Sequence, residues 1–135
     1  MDWSRRAHHS VREAEGSSEM TRPAFISAKD IVSEQLDPGI TRQILGFGEE
    51  IMTCRVVFET GAVGSVHSHL HSQTTYIESG RFLFEVDGAF QEFGAGNCVY
   101  IAPNLVHGST CIEAGVLIDN FSPMRADFLI KADQT

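Results

Sequence analysis

The chain has 135 residues, 42% hydrophobic and 21% charged, the size and balance of one globular domain around one core. Ten Lys and Arg against eighteen Asp and Glu give a net charge of −8, which argues against nucleic acid or an anionic membrane as the main partner. An anionic small molecule would then need a local source of positive charge, a metal ion or a placed arginine.

Residues 1–22, "MDWSRRAHHSVREAEGSSEMTR", balance four charges of each sign and sustain no hydrophobic period. They read as a mobile leader, with a short helix expected near Val11 to Glu15, ahead of a single domain over 23–135. The leader has no apolar stretch of the secretory kind, and no run in the chain reaches the roughly 18 to 20 apolar residues needed to span a membrane. "SAKDIVSEQLDPGITRQIL" is mixed, with a turn expected at Asp37-Pro38-Gly39. In "MTCRVVF", Met52, Cys54, Val56 and Phe58 alternate with Thr53, Arg55 and Val57, the period of a half-buried strand. In "RFLFEVDGAFQEF", Phe82, Phe84 and Val86 share a face, and Asp87-Gly88 is a two-residue hairpin loop. "CVYI" and "GVLIDNF" are short, β-rich and bounded by Gly, Pro or Asn. "MRADFLIKA" is a single short helix. Many short strands at close spacing imply an all-β sandwich or barrel. Cys54, Cys98 and Cys111 have no metal-ligand spacing and read as buried free thiols of a cytoplasmic protein.

Chemistry concentrates in "VHSHLHSQTTYIESG". His67, His69, His71 and Gln73 occupy every second position, so on a regular strand all four face one space. Imidazoles and an amide oxygen are suitable ligands for a borderline divalent metal. His107, directly after a strand and a Pro-Asn turn, is the natural closing ligand from a neighbouring strand.

"GAVGSVHSHLHSQTTYIESG" resembles the first cupin motif, with Gly61, His67, His69 and Gly80 in place and Gln73 where the acid would stand. "GNCVYIAPNLVH" resembles the second, with Gly96 and His107 in place, Ala102 where the motif has proline and Asn104 where it has glycine. The resemblance covers roughly residues 40–130 and implies a small double-stranded jelly-roll barrel with a metal inside. The tail "IDNFSPMRADFL" narrows it: with the H-x-H-x-H-x-Q form of the first motif, it is similar to the KdgF-type cupins of pectin and alginate breakdown. Leu70 and Ser72 depart from the proline and glutamate common there.

That family opens the ring of 4,5-unsaturated monouronates. The resemblance thus implies a metal on His67, His69, Gln73 and His107, whether nickel, zinc, iron or manganese. It makes Asp119 the general base and acid, Arg125 the grip on the substrate carboxylate, and Phe121 a wall of the pocket. His71 stands outside the metal set as an outer hydrogen-bond donor or substrate contact; Tyr76, with Arg55 and Arg81, is a candidate lining residue. A homodimer is the implied assembly. The alternatives at this stage are a metal-dependent cupin dioxygenase and a non-catalytic sugar-binding cupin.

Overall fold

A computed structural model describes residues 21–133; the leader helix expected near Val11 lies outside them. A 3-10 turn at Ala28–Asp30 precedes eight strands: β1 Glu34–Gln35, β2 Ile40–Phe47, β3 Met52–Phe58, β4 Val63–His67, β5 Ser72–Val86, β6 Ala89–Gly94, β7 Cys98–Ile101 and β8 His107–Ser122. The helix α1, Ala126–Asp133, follows. Strand order is β1-β2-β3-β8-β5-β6, with β4 also on β8 and β7 on β5, and every pairing is antiparallel.

The turn chemistry read from the sequence appears as expected. Gly39 takes φ 79° and Ile40 N–H donates to Asp37 O (3.0 Å), closing the β1–β2 hairpin. Asp87 and Gly88 have φ 51° and 82°, the two positive values of a type I′ loop, whose twist suits its flanking strands. "SAKDIVSEQLDPGITRQIL", mixed in its pattern, holds both β1 and β2. The inward positions Ile40 and Ile44 of β2 are buried, and so is Arg42 between them. That arginine hid the strand period.

β5 and β8 are the longest strands, and they give the sheet its curvature. The first part of β8 lies between β4 and the end of β5, with Ser109 opposite both Gly64 and Phe84. Its later part lies between β3 and the start of β5, with Asp119 opposite both Cys54 and Thr75. Register shifts in β5 at Ile77/Ser79 and Ser79/Arg81 let the pair bend together, as bulges do. Gly80 at φ 82° and Gly115 make the bend, because a Cβ on Gly115 would collide with Ser79 O and Gly80 Cα. The result is an antiparallel jelly-roll barrel.

Met52, Cys54, Ile77, Phe82 and Cys111 are almost fully buried inside it, and Phe58 packs edge-on against Phe82 at 5.2 Å. Burial of such side chains contributes roughly 1.5–3 kcal/mol each. The three cysteines are free, but Cys98 is exposed rather than buried: in β7 it holds an outward position two residues before outward Tyr100. No helix among the described residues is long and apolar enough to cross a membrane.

Candidate metal centre and substrate cavity

The inward side chains leave a cavity of about 550 Å³ open. Its wall includes His67, Gln73, His107, Asp119, Phe121 and Arg125, all of them singled out in the sequence. His67, His69 and His107 each bring one ring nitrogen to within 4.8 Å of the others. His71 is not in this set, as read.

The four alternating residues do not lie on one strand. β4 ends at His67 and β5 begins at Ser72, so the chain turns between them, with Leu70 exposed at the turn. His67 reaches the site from β4, where it pairs with His107, and Gln73 reaches it from β5. His69 sits in the connection, pinned by its neighbours: its carbonyl accepts from Asn104 N–H (2.7 Å). Asn104 has φ 68°, a left-handed conformation asparagine tolerates better than most residues, so it serves where the motif has glycine.

Backbone carbonyls orient all three rings. Nδ1–H of His67 donates to Ser65 O (2.8 Å), that of His69 to His71 O (3.1 Å) and that of His107 to Leu105 O (2.9 Å). Assigning the proton to Nδ1 leaves each Nε2 an open lone pair aimed at the cluster, the arrangement metal-binding histidines need. Burial and the nearby Arg125 lower the His69 pKa to about 4, and burial also lowers that of His107, so both rings are neutral donors.

Gln73 completes the set. Its amide NH₂ donates to Thr75 Oγ1 (2.9 Å), and Thr75 in turn donates to Asp119 Oδ1 (2.6 Å). With its nitrogen so engaged, Gln73 must turn Oε1 inward, 3.0 Å from His69 Nε2. His107 Nε2 is buried with no hydrogen-bond partner among the described residues, a cost a protein rarely accepts unless something binds there. Three imidazole nitrogens and an amide oxygen therefore fit a divalent cation.

Asp119 and Phe121 follow on the same face of β8, opposite Thr75 and Gln73 of β5. Burial pushes the Asp119 carboxyl up from the ordinary range, against the hydrogen bond from Thr75. Phe121 is buried, with its ring 5.8 Å from His69 and 5.6 Å from Phe128 of α1. Arg125 is less free than the sequence implied. Its Nε and Nη2 donate to Asp127 Oδ1 and Oδ2 (3.0 and 2.9 Å), so its side edge is taken and its far end remains for a ligand.

Tyr76 requires a correction. Strand alternation turns Gln73, Thr75 and Ile77 inward and Tyr76 outward, where it is 45% exposed; it does not line the cavity. Arg55 and Arg81 also face away, toward Glu78 and Glu92. The His71 side chain does not line the cavity either; its carbonyl, not its ring, orients His69. Sequence reasoning missed Thr75 and Arg42. Thr75 had a signal in its position two residues after Gln73, and Arg42 in its place between Ile40 and Ile44.

Residues 54–117 match the Cupin domain family. The pectin degradation protein KdgF of Dickeya dadantii (strain 3937) is 39% identical over 98 residues, 71% of this chain and 89% of that protein. A RmlC-like cupin from Shewanella frigidimarina NCIMB 400 superposes with a TM-score of 0.79 at 38% identity, over 81% of this chain and 98% of that one. KdgF from Halomonas sp. superposes with a TM-score of 0.75 at 30% identity, over 79% and 99% of the two chains.

Proposed function

The chain belongs to the KdgF family of cupins, and on that premise we propose that it is a metal-dependent enzyme that opens the ring of 4,5-unsaturated monouronates from pectin or alginate to linear keto uronates. One observation carries the reading: Asp119, Phe121 and Arg125 line the same cavity as His67, Gln73 and His107. An acid–base group, an apolar wall and an anion-binding fork thus face the ligand cluster across space of monosaccharide size.

A 4,5-unsaturated uronate is a cyclic enol ether with a hemiacetal carbon and a carboxylate. Opening it removes the proton of the anomeric hydroxyl, forms the C1 carbonyl, breaks the bond from C1 to the ring oxygen and leaves an enolate at C5. Protonation at C4 then gives the keto acid, so the whole is an isomerisation with no co-reactant. Asp119 takes the hydroxyl proton and returns it to C4, a task for one carboxyl at hydrogen-bond reach of both. Thr75, donating to Asp119, fixes which oxygen is free. Arg125 holds the carboxylate through the guanidinium end that Asp127 leaves open, a two-pronged grip lysine cannot copy. Phe121 packs against the flat alkene face. A divalent ion on His67, His69, Gln73 and His107 would supply Lewis acidity toward the sugar oxygens. With neutral Gln73 in place of an acid the site is more positive by one charge, which suits an anionic substrate. A small substrate of intracellular lyase products and three free thiols accord with a cytoplasmic enzyme, and pairing as a homodimer belongs to the same reading.

The test is the loss of alkene absorbance of freshly made unsaturated galacturonate and mannuronate, compared with the spontaneous rate, on protein whose metal content is measured. Acceleration is expected, and Asp119→Ala should abolish it while keeping the metal. A fully loaded wild type no faster than the spontaneous reaction would end the proposal, and oxygen uptake in the same assay would point to a dioxygenase.

A further inference from the structure

A second arginine faces the cavity. Arg42 occupies an inward position of β2, its side chain 7% exposed, and it lines the cavity with Arg125. A buried guanidinium is unfavourable unless its charge and its donors are met. Glu34, opposite it on β1, meets the side edge only, accepting from Nε and Nη2 at 3.3 and 3.5 Å. The Arg42 Cζ stands 3.6 Å from the Phe128 ring centroid. Arg125 repeats the pattern: its side edge is on Asp127, its Cζ lies 4.2 Å from the same ring, and its side chain is 11% exposed.

Two guanidiniums thus share one aromatic ring, each with its side edge tied to its own acid. Among the described residues neither Nη1 has a hydrogen-bond partner. A strut that only pinned β1 to β2 would not need the ring or the cavity-facing position. Each arginine is charge-matched by its acid, so what the pair offers to the cavity both line is spare donors rather than net charge. We infer that Arg42 is a second carboxylate-binding residue, sharing with Arg125 the acid group of a uronate, while Glu34 and Asp127 fix the two forks. This rests on the acidic-sugar reading of the cavity and adds the residue that makes it selective for the acid over the neutral sugar.

The experiment measures binding of galacturonate, a saturated and unreactive acid, and of galactose, its neutral counterpart, to wild type, Arg42→Lys and Arg42→Met. Losing charge-assisted hydrogen bonds should weaken galacturonate by about tenfold to a hundredfold and leave galactose unchanged. With unsaturated galacturonate the same variants should raise KM and largely spare kcat, as lost uniform binding does. A measurement on the wild type does not depend on how the variants fold: the Arg42 guanidinium resonances should shift with galacturonate and not with galactose. Resonances that stay still, galacturonate affinity unchanged in a folded variant, or no galacturonate binding by the wild type would each overturn the inference. Galacturonate binding through Arg42 without any turnover would overturn the ring-opening proposal and leave this one standing.

Discussion

Thr75 shows how much one hydroxyl decides. It accepts from Gln73 and donates to Asp119, so a single side chain sets the direction of an amide and the free oxygen of a carboxylate. Valine has the same shape without the hydroxyl. Thr75→Val should therefore leave the barrel folded but release Gln73 to rotate its nitrogen toward the histidines. Outer partners of this kind are worth about tenfold to a hundredfold in metal affinity. Competition with a chelator should show at least that lower loss for Thr75→Val and recovery in Thr75→Ser; equal affinities in all three proteins would separate Thr75 from the ligand set. The fork of Arg125 follows the same logic. Asp127, its own carboxyl held low by that guanidinium, orients a positive group that would otherwise swing on a long side chain.

At the scale of elements, the bend shared by β5 and β8 brings the site together. It lets one strand deliver His107 beside His67 and, after the bend, Asp119 and Phe121 beside Thr75 and Gln73. Gly115 is the tightest point, since any Cβ there meets backbone atoms of Ser79 and Gly80. Gly115→Ala should cost about 3 kcal/mol or more, at the upper end of what overpacking does. Gly88→Ala is the fitting comparison. Its φ of 82° is left-handed, unlike that of Gly115, but no atom stands within 4 Å of the added carbon, so only about 1–2 kcal/mol of backbone strain is expected. Chemical denaturation of both variants gives the order; a Gly115→Ala protein as stable as Gly88→Ala would mean the bend relaxes easily.

For the whole molecule, barrel closure sorts the three thiols. Cys54 is buried, and burial together with the nearby Asp119 carboxylate pushes its pKa up to about 12. Burial raises Cys111 as well. Both are held in the poorly nucleophilic thiol form and shielded by the barrel, whereas Cys98 is exposed to a reagent. A disulfide reagent at about pH 8 should thus titrate one thiol rapidly and the other two only on denaturation. Two or three rapid equivalents would show that the barrel opens on that timescale.

The residues alone determined a good deal. Strand period, an Asp-Gly loop and alternating histidines are local signals, set by backbone sterics and by which face meets water, and they gave an all-β sandwich or barrel and the candidate ligands His67, His69, Gln73 and His107; the jelly roll and the candidates Asp119, Phe121 and Arg125 came from the family resemblance of the motifs and the tail. What they could not determine is which side chains share a wall when no period links them. Arg42 lay unnoticed in a stretch of mixed pattern and Tyr76 read as a lining residue, because inside and outside are settled by the bend and register of the strands. The turn after His67 was likewise hidden, since alternation in sequence continues through it while the strand does not. Three-dimensional closure decided these points: it places residues dozens of positions apart within hydrogen-bond distance, and the pairing of Arg42 with Glu34 becomes visible only there.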